Sequence, residues 1–311
     1  RRPHTIYGYL AAAIIKRCDK GGKPFTIICC DNIQNGGQRL RSGVFQLLAI
    51  HCSKSRSWAE QQVTFCSSMV DRVSPATNDN LKHSVSSHLQ VIDAWPVAAE
   101  PFTQWVIEDN FAGEKPPFDH VGALFVDDVA PFERMKLRFL NAGHSIASAL
   151  GYLVGDQFIH QALERVHILT FLRTALLSNV LPAVELADNS AVSVYIEQVI
   201  SRFQNAALPY AVLQVGTDSS QKIQQRWLPT IESALQRNLD TSYLAFSLAA
   251  WVAFVQKASK NNELNDPLRD EFLQASNKNS ADMVNTFLSL AGAQKFDLHK
   301  NVNFMTAVTS H

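Results

Sequence analysis

The chain has 311 residues, 28 basic and 28 acidic side chains, and 46% apolar residues. Balanced charge without a basic block leaves no footprint for nucleic acid or an anionic membrane surface. No run of 18 consecutive apolar residues occurs, and Arg1-Arg2-Pro3-His4 lacks the apolar segment of a signal peptide. Length favours two domains, and the five cysteines have neither disulfide-framework nor zinc spacing. A reduced, cytoplasmic compartment and a site without metal are the expectations.

In chain order, residues 7–16 carry a helical pattern, and Pro24 to Cys30 is a β-rich apolar run ending at Asp31-Asn32. Residues 38–52 are helical again, with Val44, Leu47, Leu48 and His51 on one stripe. Further β-like runs lie at 63–66, 89–92 and 123–126. The alternation predicts a mostly parallel sheet with ligands at the strand carboxyl ends, over residues 1–127. From Pro131 onward the pattern predicts an all-helical domain, with helices at 131–154, 157–180, 190–205, 219–237, 240–257, 281–291 and 301–309. The 13 glycines include no G-x-G-x-x-G after a strand and no G-x-x-x-x-G-K-[ST].

The densest chemistry lies in Lys136-Leu-Arg-Phe-Leu-Asn141-Ala-Gly-His144. On an α-helix, Asn141 would lie about 140° and His144 about 80° around the axis from Lys136, so the three can converge on one side. They offer a proton acceptor, an amide donor and an orienting imidazole, a set suited to moving a proton on or off a sugar hydroxyl. The same letters also suit an amphipathic helix with an exposed lysine and a core histidine. Asn32 follows the strand 24–30 and is placed for a ligand, while Asn35-Gly36 reads as a turn. Asp71-Arg72 reads either as a surface ion pair or as part of a cofactor-facing loop. Gln214 and Lys222 stand in a polar patch that suits polyol or sugar-acid recognition, or simply the start of a helix.

Taken together, Tyr7-Gly8-Tyr9-Leu10, Cys30-Asp31-Asn32, Met69-Val70-Asp71-Arg72, Glu100 to Asp109, Met135 to Ser145 and Asp218 to Lys222 resemble the polyol-specific long-chain (mannitol) dehydrogenase family. The resemblance covers essentially the whole chain. It implies a fold of α/β plus all-α class: a partial Rossmann-like nucleotide-binding domain over 1–127 and a helical substrate domain over 128–311. It further implies Lys136 as general base, Asn32 and Asn141 as the pair stabilising the oxyanion, and His144 as the group orienting substrate. Glu133 matches the family's proton-channel carboxylate, Lys222 a lysine of the substrate pocket, and Asp71 and Arg72 a loop near the cofactor. NAD is the cofactor implied, with NADP left open, and no metal.

Within the family, Gln214 and the late Asp266-Pro267-Leu268 segment are closer to fructuronate reductases than to mannitol 2-dehydrogenases. That implies interconversion of D-fructuronate and D-mannonate, with a polyol dehydrogenase or a non-catalytic binding protein on the same fold as alternatives. The partner expected is a small sugar acid or polyol, and the chain is expected to be a monomer or weak homo-oligomer. Three departures touch the substrate region: the usual Asn-Gly-Ser-His is Asn141-Ala-Gly-His144, the usual Asn-Pro is Asn205-Ala-Ala-Leu-Pro209, and Asp218-Ser219 replaces Asp-Gly. The resemblance also places a glycine-rich dinucleotide turn, and the acidic residue that selects NAD over NADP, in a region preceding Arg1.

Overall fold

The structure is a computed structural model and describes residues 3–184, 186 and 189–310. In chain order the first part comprises α1 (Ile6–Asp19), β1 (Phe25–Cys29), α2 (Gly36–His51), α3 (Ser53–Gln62), β2 (Val63–Asp71), α4 (Asp79–Leu89), β3 (Gln104–Glu108), β4 (Ala123–Val126) and α5 (Ala130–Met135). The chain divides into two compact units, Arg1–Val73 with Pro101–Arg134, and Ser74–Glu100 with Met135–His311.

In the first unit the four strands form one sheet in the order β1-β2-β3-β4. β1 pairs parallel with β2, β2 antiparallel with β3, and β3 parallel with β4. The mostly parallel expectation therefore becomes a mixed sheet. α2 is the crossover between the parallel strands β1 and β2, and it buries Val44, Phe45 and Leu48 with Ala11 and Ile14 of α1 and Phe65 of β2. The stripe expected on α2 is thus largely real, although His51 is exposed.

Close approach of α2 to the sheet depends on Gly37. A Cβ there would lie 2.6 Å from Phe65 O and Ser67 N, both backbone atoms of β2. The Gly37 N–H donates to Ser67 Oγ at 3.1 Å, which fixes the contact. Ser67 and Ser68 are buried in the middle of β2, where Ser68 Oγ donates to Cys29 O at 2.7 Å. Satisfied in this way, the serines allow the strand to run well past the apolar residues 63–66 that marked it.

The run at 89–92 is not a strand. Asn78 caps α4 by accepting the Leu81 N–H, and the helix continues to Leu89 before Gln90 adopts φ 55. Val91 and Ile92 are 66% and 89% exposed, so their alternation has no sheet face to bury.

The second unit contains a π-helical turn, Lys136–Asn141, followed by α6 (Ala142–Leu153), α7 (Ile159–Glu164), α8 (Val166–Thr174), a second π turn (Ala175–Val180), α9 (Leu181–Ala183) and α10 (Asn189–Phe203). There follow α11 (Val212–Gly216), α12 (Ser219–Arg226), α13 (Leu228–Gln236), α14 (Ser242–Lys260), α15 (Arg269–Ala275), α16 (Ser280–Leu290) and α17 (Val302–Ser310). α14 is the central helix and buries Leu244, Leu248, Trp251 and Val255 along one stripe. The start of α14 is held by Asn179 of the second π turn, fully buried, whose Oδ1 accepts the Tyr243 and Leu244 N–H groups.

The stretch Val166–Ala183 has a mean hydropathy of 1.3 and is long enough to cross a membrane. Its Leu172 and Leu176 are fully buried in the unit's core, and Arg173 pairs with Glu197 at 2.9 Å, as in a core helix with one wet face. The segment 74–100 is tied into this unit by a bidentate ion pair. Arg202 Nη2 and Nε donate to Glu100 Oε1 and Oε2 at 2.7 and 2.9 Å, with both side chains buried.

Gly37→Ala should destabilise the protein by about 1–3 kcal/mol, because α2 must move off the backbone of β2. A denaturant midpoint unchanged from the wild type would show that the helix has room to spare.

Candidate functional site

The expected catalytic residues fall in both units. In the first unit Asn32 is exposed, just beyond the carboxyl end of parallel strand β1. Asn35 adopts the left-handed conformation at φ 53 and opens α2, so it is the turn residue its Asn-Gly context suggests. Its N–H donates to Glu133 Oε2 at 3.3 Å, and Glu133 is buried on α5. Asp71 is the last residue of β2 and only 1% exposed, while Arg72 directly after it is exposed. Asp71 is therefore part of the sheet and not of a loop.

In the second unit the helical spacing differs from expectation. Residues 136–141 are wound as a π turn, in which the N–H of Ala142 reaches Leu137 O, five residues back. An i→i+5 turn holds one more residue than an α turn. Lys136 and Asn141, five apart, then lie closer around the axis than the roughly 140° of an α-helix. Lys136, Asn141 and His144 are all buried, at 8%, 6% and 7% exposure.

The His144 ring stacks on Phe203 with centroids 3.8 Å apart and meets Tyr210 edge-on at 5.5 Å. Gly143 makes room for that stack, since a Cβ there would come within 3.3 Å of the Phe203 ring. Burial pushes the His144 imidazole well below its ordinary range, and the nearby charges of Arg226, Arg202 and Lys222 push it the same way. The ring is therefore neutral at physiological pH. Among the described residues, neither imidazole nitrogen of His144 nor the carboxamide of Asn141 has a protein hydrogen-bond partner. Two buried polar side chains held in place with their hydrogen-bonding atoms uncommitted are what a ligand site requires.

Lys222 and Arg226 lie four residues apart on α12 and share a face. The start of that helix is fixed by Asp266, which accepts the Ser220 N–H at 2.9 Å and its Oγ–H at 2.7 Å. Lys222 Nζ donates to Val215 O at 3.1 Å. Burial, and then Arg226, lower the Lys222 amine to about 8, against the opposing pull of Asp218 and Asp266. Burial likewise lowers Arg226 to about 10, and Tyr210 opposes it. Among the described residues, neither cation has a carboxylate within ion-pair distance. Gln214, on α11, is half-buried.

Phe203 and Tyr210 were not among the residues singled out from sequence, and Arg226 was noted there only as part of the pattern running to it from Lys222, without a role. The spacing Lys222-x-x-x-Arg226 within a capped helix was a usable signal for Arg226. Nothing local marks Phe203 or Tyr210, which reach His144 from distant points in the chain. No group of three or more His, Cys, Asp or Glu side chains among the described residues is placed to hold a metal ion.

Two family models match the chain: the mannitol dehydrogenase Rossmann domain over residues 1–120 and the mannitol dehydrogenase C-terminal domain over residues 128–311. D-mannonate oxidoreductase of Escherichia coli K12 is 34% identical over 99% of this chain and 64% of its own length. Mannitol 2-dehydrogenase of Neosartorya fischeri is 32% identical over all of this chain and 63% of its own. Among solved structures, D-sorbitol dehydrogenase in substrate-free form superposes with a TM-score of 0.86 at 28% identity, covering 99% of this chain and 64% of that one. Pseudomonas fluorescens mannitol 2-dehydrogenase, in ternary complex with NAD and D-mannitol, gives 0.78 at 27% identity, over 99% of this chain and 66% of that one. The chain thus spans somewhat less than two thirds of the length of these relatives. With both family domains matched in order over residues 1–120 and 128–311, the chain belongs to the mannitol dehydrogenase family.

Proposed function

We propose that this chain is the catalytic portion of a nicotinamide-dependent oxidoreductase that interconverts D-fructuronate and D-mannonate. The observation that carries the reading is the wall formed by the π turn and the start of α6. There a buried lysine, an uncommitted carboxamide and a neutral imidazole stand together in one unit. In the oxidative direction Lys136 Nζ takes the proton of the substrate hydroxyl as the C–H hydride departs; in reduction it returns that proton to the carbonyl oxygen. The Asn141 amide donates to the oxygen as it gains charge, and Asn32 of the first unit has the proposed role of second donor. His144, being neutral, can accept from one substrate hydroxyl and donate to another, which fixes the sugar without adding charge. Glu133 has the proposed role of passing the Lys136 proton to solvent.

Bound NAD or NADP would supply or accept the hydride. The residues present suit part of such a cofactor: Asn32, beyond the end of a parallel strand, and Arg72, after β2, are polar and exposed. No G-x-G-x-x-G occurs in the chain to take the pyrophosphate. Asp71, within the sheet, has the proposed role of supporting Arg72. The division into a partial nucleotide-binding domain, 1–127, and a substrate domain, 128–311, belongs to the same proposal.

A sugar acid is favoured over a neutral polyol by Lys222 and Arg226. Two desolvated cations with no carboxylate in ion-pair contact among the described residues leave positive charge beside the imidazole that Asp218 and Asp266 offset only in part, and a substrate carboxylate would balance it. Gln214 has the proposed role of binding the sugar's hydroxyl groups.

The direct test is loss of NADH or NADPH absorbance with D-fructuronate and with D-fructose, using the intact gene product. Turnover of fructuronate alone supports the reading. Turnover of fructose alone would identify a mannitol 2-dehydrogenase, and binding of NADH without turnover of either would identify a non-catalytic relative. Lys136→Ala should lower kcat on the order of 10²- to 10⁴-fold with NADH affinity unchanged. Loss of cofactor binding in step with kcat would remove the lysine from its role as base. For the acid substrate, KM should rise as pH passes about 8, because Lys222 is charged below that value and neutral above it. KM for a neutral ketose should stay flat over the same range, and Lys222→Gln should abolish the dependence. A dependence that survives in the variant would locate the titrating group elsewhere.

A further inference from the structure

The π turn needs something to hold it, because i→i+5 winding is disfavoured against the α-helix into which it runs. Residues 136–141 could revert to α winding by releasing one residue, which would swing Lys136 about 100° around the axis relative to Asn141. At the junction, two successive backbone carbonyls are gripped from outside by two successive residues. Arg226 Nη1 donates to Asn141 O at 3.0 Å and to Ser145 Oγ at 2.6 Å. Ser145 Oγ in turn donates to Asn141 O at 3.2 Å. The indole Nε1–H of Trp227 donates to Ala142 O at 3.3 Å.

We infer that Arg226, Ser145 and Trp227 form a clamp that fixes the point where the ladder changes from i→i+5 to i→i+4, and so sets the register of Lys136 against Asn141. A carbonyl has two lone pairs, so at Ala142 O the indole adds to the helix's own bonding, while at Asn141 O the guanidinium and the hydroxyl share the oxygen with it. Carbonyls 141 and 142 point in different directions around the axis. Holding both prevents the rotation that a change of winding requires. The clamp also connects the catalytic wall to α12, since Arg226 closes that helix and Lys222 lies one turn before it. Substrate charge at Lys222 and the register of Lys136 thus share one support. None of the three residues is assigned a contact with the reacting atoms: Ser145 and Trp227 are positioning residues, and Arg226 combines positioning with its proposed charge toward the substrate carboxylate. The catalytic half of this inference rests on the function proposed above, while the structural half does not.

The test is the double variant Ser145→Ala/Trp227→Phe, which leaves every charge and the Arg226 side chain in place. Hydrogen–deuterium exchange is followed over residues 136–146, with kcat and KM measured alongside. Exchange in that segment should quicken while the rest of the helical unit keeps its protection. With it, kcat should fall on the order of 10- to 100-fold, at unchanged KM for NADH, as expected for a misplacement of about 1 Å. Arg226→Lys keeps the charge and is the second variant if the double one folds poorly. Unchanged exchange in a folded variant overturns the clamp, and faster exchange with kcat intact overturns its positioning role. If the wild type turns over no sugar but exchange still quickens, the clamp stands and the dehydrogenase reading falls.

Discussion

One extra residue in one helical turn governs the chemistry of the second unit. With α winding, Lys136 and Asn141 would diverge around the helix, and one of them would point into the apolar core beside Phe139. With π winding they lie closer around the axis, with His144 following near the start of α6. The cost of irregular winding is met by neighbouring groups: apolar packing of Leu137, Phe139 and Leu140 on the inside, and guanidinium, hydroxyl and indole donors on the carbonyls. Irregular backbone with its polar groups fully satisfied is stable, and it allows side chains to meet where a regular helix would part them.

Electrostatics in the same unit follow from burial. Three cations surround an imidazole that has no negative partner of its own, so the ring sheds its proton. Lys222 is held near the point of losing its charge by the same desolvation. A neutral imidazole and the easily titrated amine of Lys222 make a surface that can exchange protons and share hydrogen bonds near neutral pH. Arg226 keeps its charge and gives the neighbourhood its permanent sign.

Much of this was legible in the sequence. The change from strand-and-helix alternation to continuous helical periodicity marked a sheet-containing part followed by a helical one, without showing that 74–100 groups with the helical unit, and the segment 123–126 was read as the strand it is. The triad Lys136, Asn141 and His144 was visible as residue types, although its spacing was read on the wrong helix. A π turn has no composition of its own; it is selected by tertiary hydrogen bonds from Arg226 and Trp227, more than eighty positions away, and those are invisible in a local window. α3 was missed because its sequence is polar throughout and only Ser55 and Ala59 face inward. β3 was hidden inside an aromatic and acidic segment whose alternation is short; it became a strand because β2 and β4 flank it on both edges. The apparent strand at 89–92 failed for the opposite reason, having alternation but no partner.

The buried pair of Glu100 and Arg202 has a consequence for how this protein can vary. Replacing either residue alone strands a bare charge inside the helical unit, at about 3–5 kcal/mol, whereas exchanging both for apolar residues of similar size can be neutral. Substitution at these positions should therefore be tolerated only as a matched change. A lineage that loses one of them inherits a looser attachment of the 74–100 excursion until the other follows.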